Sequence, residues 1–153
     1  MIGFVCAGDL FYENGLRFSC KRGCVACCAG EPGYVFLSDN DIENICEATG
    51  LNLMQVRQAY VRDFVSDKGI HHDVLREYSN AKCVFLGGSG CMIYQHRPMQ
   101  CRTYPFWSRI VESLEKWESE GAMCPGINAG KVVVSKDEIE VQKNLFKFPE
   151  DLC

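Results

Sequence analysis

Phe18-Ser-Cys20-Lys-Arg-Gly-Cys24-Val-Ala-Cys27-Cys28 sets four thiols within nine residues. Loops this short strain a disulfide, which needs Cα atoms roughly 4.4–6.8 Å apart and correctly aimed Cβ vectors. Converging thiolates on a metal suit it better, because a CxxC knuckle lets two sulfurs meet one ion from a tight turn. Adjacent residues usually point in different directions, so one of Cys27 and Cys28 is expected to serve a second ion or face the core.

Eleven cysteines occur in the 153 residues. An odd count, a chain long enough to fold without cross-links and an N-terminus lacking a basic leader all argue against a disulfide framework and for a cytoplasmic setting. A second group, Cys83, Cys91, Cys101 and Cys124, answers the first. Cys83 and Cys91 flank the glycine-rich stretch Gly87 to Gly90, which reads as a hairpin turn, and Cys101 follows on a short helix opened by Pro98. Cys124 starts a Pro-Gly turn. Cys20, Cys24, Cys27, Cys28, Cys83, Cys91, Cys101 and Cys124 are therefore the expected ligands, as two four-thiolate sites or one site plus a pair of free or redox-active thiols. Cys46 sits beside Ile42 and Ile45 in a helical pattern and reads as core, while Cys6 and Cys153 lie near the termini and rank below the eight. Zinc and an iron–sulfur cluster both favour thiolates, and both stay open.

Outward from the cluster, Asn14-Gly15 between two strand-like runs predicts a first hairpin that delivers Cys20. Gly23, Gly30, Pro32 and Gly33 suit a backbone folded tightly around something small. A strand is expected over Tyr34–Leu37. A helix capped by Ser38 or Asp39 should run to about Ala48 and stop at Gly50, and a second should cover Leu53 to Val65. Residues 108–117 suit helix or strand. A short strand over Lys131–Val134 precedes a last helix opened by a Ser135/Glu138 capping box. The expected fold is a small single α+β domain over residues 1–153, with two β-hairpins, three to four helices and cysteine-rich loops around a metal site.

Other chemistries find little support. A net charge of −4 opposes a nucleic-acid surface, and no apolar run reaches the roughly 20 residues of a membrane span. His71 and His72, beside Asp73, read as a solvated loop sooner than a second metal site, and His96 ranks below every cysteine in the ligand set. Gly87-Gly-Ser-Gly90 leads into a strand where a phosphate loop needs a helix. Arg97, Arg102 and Arg109 form the one basic concentration.

Cys83-Val-Phe-Leu, Cys91-Met-Ile-Tyr-Gln-His-Arg-Pro-Met-Gln-Cys101-Arg-Thr-Tyr-Pro-Phe-Trp107 and Cys124-Pro-Gly, together with the opening motif, resemble the YkgJ-type cysteine-cluster family over about residues 11–130. That family is described as zinc- or iron-chelating and includes flagellin lysine N-methylases. The resemblance implies that the same eight cysteines are the ligands and that Arg97, Pro98, Arg102, Tyr104 and Pro105 occupy fixed motif positions. Of these, Arg97, Arg102 and Tyr104 are candidates to contact an anion or a partner, unless the arginines pair with local acids or cap carbonyls. The expected function is a metal-binding protein with a structural or redox role toward a protein partner. The alternative is an S-adenosylmethionine-dependent protein lysine methylase-like enzyme, although no separate region for that cofactor is visible. Metal storage or delivery is weaker, because a buffer needs less core.

Overall fold

Helix boundaries in this protein follow from their caps. The computed structural model describes residues 10–21, 23–29 and 33–152. Ser38 caps the helix Asp39–Thr49 with a complete capping box through Asp41, and Gly50 ends it in the left-handed region. Asn52 and Gln55 open the next helix in the same way, but it stops at Tyr60 instead of running to Val65. The chain passes straight into a strand, Val61–Val65, paired antiparallel with His71–Leu75 in a five-residue register. β-branched and aromatic residues at 61, 64 and 65 fit a pleated surface better than a helix, and the pairing rewards them. This hairpin, not the one expected at Asn14-Gly15, is the longest in the described residues.

The first expected hairpin is absent because its leading strand does not form. Residues 11–14 are turn, and the Tyr12 ring is buried with its hydroxyl donating to Glu140 Oε1 at 2.6 Å. Gly15 does adopt positive φ. A Cβ there would lie 2.5 Å from the Val134 carbonyl oxygen, since the chain next pairs with the far end of the domain. Leu16–Arg17 lies antiparallel to Val133–Val134, and a bridge from Phe18 to Ile127 extends the contact toward Cys20.

In chain order the elements are β1 (Leu16–Arg17), α1 (Ala26–Ala29), α2 (Asp39–Thr49), α3 (Leu53–Tyr60), β2 (Val61–Val65), β3 (His71–Leu75), β4 (Leu86–Gly87), β5 (Gly90–Cys91), α4 (Met99–Thr103), α5 (Leu114–Glu120), β6 (Val133–Val134) and α6 (Lys136–Leu145). The fold is α+β, its strands in antiparallel pairs. Six α-helices among the described residues exceed the three to four expected, because the short α1 forms around Cys27 and Cys28 and the segment read as helix or strand supplies α5. The hairpin at Gly87 to Gly90, the helix after Pro98 and the Ser135/Glu138 box form as read. The expected strand at Tyr34–Leu37 is reduced to one bridge, Phe36 to Val74. No helix among the described residues is long and apolar enough to cross a membrane.

Two apolar clusters hold these elements. One gathers Tyr12, Leu16, Phe106, Trp117 and Ile139, with Cys124 among its buried members. The other gathers Ile42, Ile45, Val56, Leu75 and Phe85, with Cys46, Cys83 and Cys91 packed on it. The second cysteine group thus borders both clusters.

Candidate metal centre

Backbone hydrogen bonds bring the two cysteine groups together. The Cys83 N–H donates to the Cys28 carbonyl at 2.9 Å, tying the α1 loop to the β4–β5 hairpin. Ser19 N–H donates to the Gly126 carbonyl at 3.1 Å, fastening the approach to Cys20 against the turn that follows Cys124. A Cβ on Gly126 would stand 2.6 Å from the Ser19 oxygen, so only glycine permits that contact. α4 is anchored twice. The Met99 N–H donates to buried Asp41 at 2.8 Å, and buried Gln100 accepts from Phe36 N–H at 2.8 Å while donating to the Tyr34 carbonyl at 2.9 Å. Asp41 belongs to the Ser38 capping box, which gives no hint of its bond to Met99, and Gln100 is signalled by no motif.

The result is one cavity of about 700 Å³ lined by Cys20, Cys24, Cys27, Cys28, Cys83, Cys91 and Cys101. Cys124 is not in the lining but buried in an apolar cluster, within electrostatic reach of Cys24 and hydrogen-bonding reach of the Tyr104 hydroxyl. Cys46 is not part of the lining. Cys6, Cys153, Gly30 and Pro32 lie outside the described residues. Cys27 and Cys28 correct the expectation that neighbours diverge, because their sulfurs are 3.8 Å apart. For comparison, a tetrahedron with metal–sulfur bonds of about 2.3 Å has an edge of about 3.8 Å. As placed, no group of three or more Cys, His, Asp or Glu side chains among the described residues closes to the spacing of a metal site.

Burial and mutual proximity set the electrostatics of these thiols. Burial pushes Cys20, Cys83, Cys91, Cys101 and Cys124 upward, and the contact with Cys28, followed by burial, does the same for Cys27. Opposing that, the sulfurs of Cys83, Cys91 and Cys124 receive backbone N–H groups from Phe85, from Ile93, and from Gly126 and Ile127. Amide donors aimed at sulfur favour the thiolate. The donor set therefore fits a thiophilic metal, which supplies the missing positive charge.

The arginines separate. Arg97 lines the cavity, and its charge favours the thiolate forms of Cys20, Cys27, Cys91 and Cys101. Its Nε donates to the Tyr94 carbonyl at 2.9 Å and its guanidinium carbon lies 3.9 Å from the Tyr94 ring centroid, so it also caps a carbonyl. Arg102 is exposed and outside the lining. Tyr104 lines the cavity and donates to Glu120 at 2.7 Å. The histidines stay apart from the thiols. His71 and His72 lie on β3, not on a loop, and pair with Asp63 at 2.7 Å and Asp151 at 2.8 Å. His96 stands 3.8 Å from Glu47.

Residues 19–125 match the family model CxxCxxCC, described as a putative zinc- or iron-chelating domain, and the chain belongs to that family. No solved structure matches it.

Proposed function

We propose that this member of the CxxCxxCC family binds zinc or an iron–sulfur cluster through Cys20, Cys24, Cys27, Cys28, Cys83, Cys91, Cys101 and Cys124, in a structural or redox role toward a protein partner. The observation that carries the reading is the single cavity walled by seven of these thiols, where backbone amides already point at the sulfurs of Cys83 and Cys91. Bound there, the group supplies a cross-link between the loops or, as a cluster, an electron-accepting centre.

The chain's own residues divide the remaining work. Cys83, Cys91 and Cys101 are set on the hairpin and on α4, whose anchors fix their direction. Cys20 and Cys24, on the loop before α1, complete the set. Loading displaces thiol protons, so it strengthens with rising pH. Arg97, held by Tyr94, offsets thiolate charge. Exposed Cys20, Cys27 and Tyr94 place this end of the site within reach of a partner.

Anaerobic purification with metal analysis and an absorption spectrum tests the reading. Wild type should carry stoichiometric zinc or iron, with thiolate-to-iron absorption in the second case. Cys27→Ser and Cys101→Ser should each lose metal. Full occupancy in both variants would refute the site.

A further inference from the structure

The cavity is far larger than an ion and its sulfurs require. At about 700 Å³ it falls within the range of small-molecule sites, roughly 300–1,000 Å³. Away from the thiols its wall changes character, to Tyr104, Trp107, Arg109 and Glu120. Tyr104 joins the two ends, reaching Cys124 on one side and packing edge-on to Trp107 at 5.0 Å on the other. Trp107 is fixed by its indole N–H, which donates to the Gln100 carbonyl at 3.0 Å.

Arg109 is the informative residue. It is exposed, and its guanidinium carbon lies 3.8 Å from the Phe148 ring centroid and 5.1 Å from that of Trp107, so both rings pack beside it. Among the described residues no carboxylate lies within 4.0 Å of it and none of its N–H groups is donated. A guanidinium with no protein acceptor has its fork available, and that fork matches a planar oxyanion with two parallel hydrogen bonds. Glu120 stands on the same wall. Its charge repels a dianion more than a monoanion, so the site favours a monoanionic carboxylate over phosphate.

We propose that this end of the cavity binds a small organic carboxylate, its oxygens edge-on to Arg109 and its apolar body against Trp107 and Tyr104, beside the metal centre. The inference goes beyond the metal reading and does not depend on which metal is bound.

Calorimetric titration of the metal-loaded full chain tests it, with 3-phenylpropionate, its neutral amide and inorganic phosphate as probes. The acid should saturate the protein, with the amide and phosphate each at least tenfold weaker. Arg109→Gln should weaken the acid at least tenfold, leave the amide unchanged and retain full metal. Arg102→Gln, exposed and outside the cavity, should bind like wild type. If Arg109→Gln folds poorly, Arg109→Lys keeps the charge, loses the fork and should still weaken the acid. No saturation by the acid, equal affinity for acid and amide, phosphate binding as tightly as the acid, or wild-type affinity in both Arg109 variants would overturn the proposal. Repeating the titration on metal-free protein, with metal content measured separately, distinguishes failure here from failure of the metal site.

Discussion

Gln100→Leu removes the side chain that positions Cys101 from one residue away. Gln100 is 4% exposed and bridges α4 to the segment before α2 through two hydrogen bonds, one accepted from Phe36 N–H and one donated to the Tyr34 carbonyl. Leucine fills a similar volume and satisfies neither group. An orphaned buried backbone group costs about 1–3 kcal/mol. Tyr34 is exposed, so water replaces the lost donor at its carbonyl and the half-buried Phe36 N–H carries most of the loss. The sum is about 2–4 kcal/mol, toward the lower half of two full penalties. At about 2–4 °C per kcal/mol for a chain of this size, the melting temperature should fall by about 4–16 °C. Thermal melts followed by circular dichroism read the shift, and metal analysis reads its consequence, since α4 carries Cys101. A drop below about 2 °C with full metal content would show that Gln100 does not anchor α4, and the account of how the site is built would fail with it.

Three further outcomes follow from the same geometry. Gly126→Ala forces a methyl into the Ser19 carbonyl and should cost about 1–3 kcal/mol with reduced metal retention, and an unchanged denaturation midpoint would contradict the close approach. Cys46→Ser, on α2 and outside the cavity, should keep its full metal content by elemental analysis, and loss of metal would place Cys46 among the ligands. Burial raises the thiol pKa values of Cys20, Cys83, Cys91, Cys101 and Cys124 in the metal-free protein. Above the unfolded thiol value of roughly 8.5 the unfolded chain therefore sheds protons first. Metal-free stability should be flat below that pH and decline above it, and denaturant midpoints that hold level to pH 10.5 would refute this.

What the sequence makes legible here is what short-range chemistry decides. Ser38 with Gly50, Ser135 with Glu138, and the glycines at 87–90 act within a few residues, and each element forms as read. The failures are long-range. Asn14-Gly15 has turn chemistry, yet Tyr12 is drawn to Glu140, 128 residues away, and the strand before the turn is lost. The helical pattern after Leu53 is overridden at Val61 because a partner strand lies at 71–75. The cysteine spacing reveals which thiols are candidates but not the amides aimed at them, nor that Cys27 and Cys28 face the same way. Arg97 and Arg102 are equal motif positions in the sequence. Arg97 precedes α4 and lines the cavity, while Arg102 sits within α4 and faces solvent.

The contacts that shape the cavity are made by backbone, by apolar side chains and by buried Asp41 and Gln100, none of them a thiol, and this fixes what metal removal should do. A zinc finger unfolds without its ion because it has no other core. Here each of two apolar clusters contains fully buried residues, Trp117 and Ile139 in one, Ile45 and Val56 in the other, none of them supplied by a metal. The Cys83–Cys28 and Ser19–Gly126 hydrogen bonds join backbone groups and use no thiol. Chelation should therefore leave the far-ultraviolet circular dichroism nearly unchanged and keep a cooperative melt at lower temperature. The loosening should concentrate in residues 20–29, where α1 has no buried residue, and show as faster amide exchange there than in α2 or α6. Loss of all cooperative unfolding on chelation would mean that the metal, not the two clusters, holds the domain together.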